Sequence, residues 1–108
     1  MTEKLFVYGT LAPSRPNEHI LKKIGGSWED ATIKGELKQE GWGAKMGYPG
    51  IDLTKNTDDI EGFIFTSSHL SKQWKMLDDF EGEGYKRVVT QATLKNGNRV
   101  DVFVYALT

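Results

Sequence analysis

The dipeptide Asn96-Gly97 constrains the fold of this chain most. It sits between two β-rich runs, Tyr85 to Leu94 and Asn98 to Leu107. A type I′ turn needs positive φ at both central positions, and Asn-Gly supplies it, so the pair predicts a hairpin at the C-terminal end. Within the second run, Val100, Val102 and Val104 alternate onto one face, while Phe103 and Tyr105 take the other.

The rest of the chain supplies further short strands and two helices. Leu5 to Tyr8 reads as a strand that breaks into Gly9-Thr10-Leu11. Glu18 to Ile24 reads as a short helix, with Asn17 as N-cap, Glu18 complementing the dipole, lysines in the last turn and Gly25 as the stop. Ile20, Leu21 and Ile24 form its buried face. Thr32 to Leu37 is a strand that Gly35 is expected to bend or bulge. Glu40 to Pro49, with three glycines around Trp42 and Met46, reads as a mobile loop. Gly50 to Leu53 is a short strand, Asn56 to Asp59 a turn, and Ile60 to Phe65 a strand with apolar content on both faces. Leu70 to Glu81 reads as the longer helix, capped by Ser67 or Ser68 and ended by Gly82 and Gly84. Five to seven short strands with two helices make a mixed α+β domain.

Length and composition narrow the possibilities. A chain of 108 residues fits a single domain, 1–108. It lies near the lower limit for a self-sufficient core, so either a monomer or a homodimer is expected. The net charge of −1 leaves no footprint for nucleic acid or an anionic membrane. There is no cysteine, hence no disulfide, thiolate metal site or cysteine nucleophile. His19 and His69 stand apart without a partner at metal-ligand spacing, so no metal and no cofactor is expected. With no charged-then-apolar leader and no long apolar run, a cytoplasmic protein is the expectation.

Chemistry is indicated by one misplaced acid. On a helix over 70–81, at ~100° per residue, Leu70, Trp74, Leu77 and Glu81 fall on a single stripe. Asp78 and Asp79 face solvent on that reading, and Glu81 alone looks toward the core. Desolvation raises the pKa of such a carboxyl, which suits it to proton transfer near neutral pH. At the other end of the chain, the strand that stops at Gly9-Thr10-Leu11 offers amide hydrogens to an anion or a carbonyl oxygen.

Three segments carry a resemblance. Val7-Tyr8-Gly9-Thr10-Leu11, then Gly47-Tyr48-Pro49-Gly50, then Leu77-Asp78-Asp79-Phe80-Glu81-Gly82 followed by Tyr85-Lys86-Arg87 resemble, in order and spacing, the gamma-glutamylcyclotransferase-like family. The short gamma-glutamylamine cyclotransferase type is the closest branch. The resemblance implies a small mixed β-barrel with the longer helix packed near its mouth. It implies a small-molecule gamma-glutamyl substrate, whose α-amine attacks its own γ-carbonyl to release 5-oxoproline and a free amine. It assigns acid-base work to Glu81. Substrate contacts fall to Tyr8, Gly9, Thr10, Leu11, Tyr48, Pro49 and Tyr85, and Tyr105 is a further candidate for the cavity wall. The gap from Gly82 to Tyr85 is shorter than in many relatives, and it borders the side where the leaving group departs.

Other readings accompany this one. The same cyclisation would remove a gamma-glutamyl protecting group in secondary metabolism. A non-catalytic small-molecule binding domain would keep the barrel without turnover. Trp28 and Trp74 read as packing residues, with Trp42 the one tryptophan worth testing as a ligand contact. Glu83, between glycines, reads as solvated. Gly41-Trp42-Gly43 lacks the strand-to-helix setting and the lysine of a phosphate loop.

Overall fold

A computed structural model describes residues 3–8, 15, 17–38, 50–54 and 58–107. Six strands and two helices run in the order β1 (Glu3–Val7), α1 (Glu18–Ile24), β2 (Ser27–Lys38), β3 (Gly50–Asp52), β4 (Asp58–Ser67), α2 (Trp74–Glu81), β5 (Tyr85–Leu94) and β6 (Arg99–Leu107). The strand order is β3-β2-β4-β1-β6-β5, and β5 also pairs with β2. That last pairing closes β2, β4, β1, β6 and β5 into a five-stranded barrel, leaving β3 as an extra strand on β2. The seam is short, with only Ala31 opposite Leu94 and Thr32 opposite Thr93. All pairings are antiparallel except β1 with β6, where Leu5 meets Phe103 and Phe6 meets Val104.

Strand alternation sorts the apolar residues into two layers. Phe6, Ile33, Ile60, Ile64, Val102 and Val104 point inward and fill the barrel. Their neighbours Leu5, Val7, Phe65 and Tyr105 point outward, where Leu21 of α1 and Leu77 of α2 cover them together with Leu70. The valine and aromatic faces of β6 are therefore the two faces read from the sequence. Trp28 packs against Phe65 and Trp74 against Phe103, both in the outer layer, with ring centroids 4.8 and 4.9 Å apart. Trp42 lies outside the described residues. No helix among the described residues is long and apolar enough to cross a membrane.

Local details depart from the sequence reading in six places. The helix expected over 70–81 is two pieces, a 3-10 turn Leu70–Lys72 and then α2 from Trp74. Neither Ser67 nor Ser68 caps α2. The Ser67 hydroxyl instead donates to the Gly25 carbonyl at 2.6 Å and accepts from the His69 amide at 3.0 Å, tying the end of α1 to the end of β4. Asn17 makes no capping bond through its side chain; α1 is only seven residues long and is held by Leu21 in the outer layer. Gly35 is in regular register opposite Asp58, so β2 is not bulged there. A Cβ at this glycine would lie 3.0 Å from Ile51, so its absence lets β3 come close.

The hairpin forms as read, but its turn is one residue earlier. The Gly97 amide bonds the Leu94 carbonyl at 2.9 Å, which makes Lys95 and Asn96 the central pair. Gly97 follows with φ +89, the three-residue loop that ends in a left-handed glycine. Asp58 and Asp59 belong to β4 rather than to a turn, while residues 55–57 lie outside the described residues.

Candidate active site

The parallel strands β1 and β6 end side by side, and everything of chemical interest gathers at that end. Tyr8 follows the last residue of β1. Its hydroxyl donates to the Tyr105 carbonyl of β6 at 2.7 Å and accepts from the Ile51 amide of β3 at 3.0 Å. Tyr85 opens β5 opposite Leu107, the last residue of β6. The chain reaches Tyr85 directly from α2, through Gly82, Glu83 and Gly84.

Glu81 is the last residue of α2, and the helix stops immediately behind it. Gly82 takes φ +80 and its amide bonds the Asp78 carbonyl at 3.0 Å, an ending that a left-handed residue allows. The apolar stripe forms as read from the sequence. Leu70 and Leu77 are fully buried, and Trp74 and Glu81 are half-buried. Loss of water around Glu81 pushes its carboxyl up to about 7 from an ordinary value of 4.5. Its charge reaches Tyr8 and Tyr105, whose phenols are both shifted upward, chiefly by burial; at Tyr105 the Asp78 carboxylate adds to the shift. Tyr8 also feels Tyr85. The helix thus packs on the outer wall of the barrel, and its final turn delivers the acid to the rim where β1 and β6 end.

Of the residues expected at the site, Glu81, Tyr8 and Tyr85 come together here, with Tyr105 beside them. Gly9, Thr10, Leu11, Tyr48 and Pro49 lie outside the described residues. In sequence, the first three continue from Tyr8, and the last two lead into Gly50 of β3. Glu83 is exposed, as read.

Asp78 does more than the sequence reading gave it. It is exposed, as expected, yet its carboxylate also accepts the Tyr105 hydroxyl at 2.6 Å and lies 3.7 Å from the Arg87 Nε. The Arg87 guanidinium stacks over the Trp74 ring, 4.4 Å from its centroid. Asp79 does face outward, toward Lys75 at 3.7 Å. Asp78, Gly82, Tyr85, Arg87 and Tyr105 line a cleft of about 510 Å³ beside the end of α2. Two spacings in the sequence hint at this cluster. Arg87 shares a strand face with Tyr85, and Asp78 lies one turn after Trp74 on α2.

A closed five-stranded barrel with one extra strand and two helices is the frame of a gamma-glutamyl cyclotransferase-type fold. The chain belongs to the gamma-glutamyl cyclotransferase, AIG2-like family, whose model matches residues 5–108. Among solved structures it is similar to At5g39720.1 of Arabidopsis thaliana, at 22% identity, covering 98% of this chain and 68% of that one with a TM-score of 0.76. YkqA from Bacillus subtilis matches at 26% identity and TM-score 0.76, over 100% of this chain and 36% of the other. An AIG2-like protein of Mus musculus matches at 22% identity and TM-score 0.76, over 99% of this chain and 78% of the other. A search among curated proteins returned no match.

Proposed function

We propose that this chain cleaves gamma-glutamyl amides by cyclisation, with Glu81 as both base and acid. The observation that carries the reading is the half-buried Glu81 carboxyl, raised to about 7, at the rim shared with Tyr8 and Tyr105. The substrate brings its own nucleophile, so the reaction needs no serine, cysteine or metal from the protein. Ionised Glu81 takes a proton from the substrate's α-ammonium. The freed amine attacks the γ-carbonyl carbon, and negative charge develops on the carbonyl oxygen. As the tetrahedral centre collapses, the protonated carboxyl gives its proton to the departing nitrogen, the carbon–nitrogen bond breaks, the ring nitrogen yields its second proton to the regenerated carboxylate, and 5-oxoproline and a free amine leave. A carboxyl with pKa near 7 is suited to both transfers, because neither direction is strongly uphill at neutral pH.

Orientation supplies the larger share of the rate. Folding the glutamyl chain so that amine and carbonyl meet makes the step intramolecular, worth up to ~7–11 kcal/mol in favourable cases. Amides of the segment after Tyr8 are the proposed partners for the developing oxyanion or the α-carboxylate.

The test offers the protein gamma-glutamyl amines, gamma-glutamyl amino acids and the gamma-glutamyl-ε-lysine isopeptide, and measures 5-oxoproline. At least one substrate should turn over, and Glu81→Gln should lower kcat by ~10²–10⁴-fold. Wild-type turnover by Glu81→Gln would remove the acid-base assignment. Tight binding of 5-oxoproline with no product from any substrate would favour the binding-domain reading.

A further inference from the structure

The side chain of Glu81 is the last on a helix of eight residues, too short to hold itself in place. Leu77, four residues earlier, is its one fully buried residue, while Trp74 and Phe80 are only partly buried against the same outer layer, so apolar packing alone fixes the helix end loosely. A second attachment sits one turn before Glu81. The Asp78 carboxylate accepts the Tyr105 hydroxyl at 2.6 Å, and the same oxygen lies 3.7 Å from the Arg87 Nε. Arg87 is itself fixed. Its guanidinium stands 4.4 Å over the Trp74 ring and 5.5 Å from that of Phe103, and its Nη1 is buried with no acceptor among the described residues. Trp74, the first residue of α2, donates its indole N–H to Glu3 of β1 at 3.2 Å.

Tyr105 joins both sides of the site. Its hydroxyl holds α2 through Asp78, and its backbone carbonyl accepts the Tyr8 hydroxyl at 2.7 Å. We propose that Asp78, Tyr105 and Arg87 are positioning residues, which lock the final turn of α2 against β6 and so aim the Glu81 carboxyl at the Tyr8 rim. The inference rests on the acid-base reading of Glu81. The exposed part of the Asp78–Arg87 pair adds little stability by itself. A misplacement of ~1 Å at a reacting group, by contrast, can lower a rate by about 10²-fold. Tyr8, just after β1, and Tyr105 of β6 both feel the Glu81 charge; Asp78 shares its helix, and Tyr85 and Arg87 of β5 line the cleft beside the helix end.

The experiment compares Tyr105→Phe, Asp78→Ala and Asp78→Asn with the wild-type chain, by kcat and KM for 5-oxoproline release and by ¹³C NMR titration of the Glu81 carboxyl, assigned with Glu81→Gln. Tyr105→Phe and Asp78→Ala should each lower kcat by about tenfold with KM within about twofold, the mark of an interaction expressed in the transition state. In both, the Glu81 carboxyl should titrate closer to an ordinary glutamate, because a loosened helix end lets water in. Asp78→Asn keeps an acceptor for Tyr105 and should recover most of both properties. In a Glu81→Gln background, Tyr105→Phe should cost no further rate. An unmoved Glu81 titration in Tyr105→Phe and Asp78→Ala overturns the positioning role, whatever kcat does. If the wild-type chain releases no 5-oxoproline, the catalytic reading fails, and the titration still decides whether these residues hold Glu81.

Discussion

Glu81 concentrates the tension in this molecule. Burial favours its protonated form, so the folded chain binds the proton more tightly than the unfolded chain does. That contribution to stability is complete below the unfolded pKa, is lost as pH rises from about 4.5 to about 7, and stays lost above. The cost of holding the ionised form is at most roughly 3 kcal/mol, less whatever residual solvent relieves. Glu81→Gln should therefore be more stable than the wild-type chain at pH 8 and should flatten the pH dependence between pH 5 and 7, as measured by urea unfolding. Turnover should move the opposite way. It should rise with pH through about 7, as the carboxyl becomes a base, and Glu81→Gln should lack that limb. Equal wild-type and mutant stability across this range would place Glu81 in water and end the argument. The inward direction of Glu81 was legible in the sequence because Leu70, Trp74 and Leu77 lie along one stripe. The bonds that Asp78 makes were not, because its partners Tyr105 and Arg87 come from strands beyond the helix, and helix spacing carries no record of them.

Among the elements, β3 is the shortest strand. It is three residues long, pairs among the described residues only with β2, and its Ile51 amide is bound by the Tyr8 hydroxyl. Gly50 lies flush against Leu107, where a Cβ would come within 2.5 Å of its side chain. Tyr8→Phe strips the Ile51 amide and the Tyr105 carbonyl of one partner at once. It should lower stability by about 1–3 kcal/mol. Its effect on turnover should stay below that of Glu81→Gln, since the hydroxyl is committed to backbone and is not free to transfer a proton. Faster amide exchange at Ile51 in Tyr8→Phe would check the structural part directly. The strands themselves were readable from alternation and the Asn-Gly signal, and the turn moved by one residue because Gly97, not Asn96, takes the left-handed position. The missing serine cap has a similar cause. Ser67 is drawn into a bond with Gly25, a residue 42 positions away.

Across the whole molecule, closure is what counting strands could not give. The alternating pattern of β6 needs cover on both faces, and a bent sheet would meet that need as well as a barrel. Two register pairs between β2 and β5 decide the matter, and neither strand announces the other. Packing at the rim is equally tight. A Cβ on Gly62 would lie 2.5 Å from the Val7 carbonyl oxygen and 2.6 Å from the Phe6 ring, so β4 crosses the end of β1 only because that position is bare. Gly62→Ala should therefore cost about 1–3 kcal/mol or more, read by thermal unfolding, because backbone cannot yield as a side chain does.

The pairing of β1 with β6 has a consequence for how the protein comes into being. β1 is synthesised long before β6, so its β6-facing flank stays open until β6 emerges, and β5, made just ahead of β6, likewise lacks its main hydrogen-bonding neighbour until then. Contacts between such distant stretches make assembly slow and all-or-none. A polypeptide halted at residue 98 should show no cooperative melting, and the acid at the end of α2 should find no chamber to face until β6 slides into its slot.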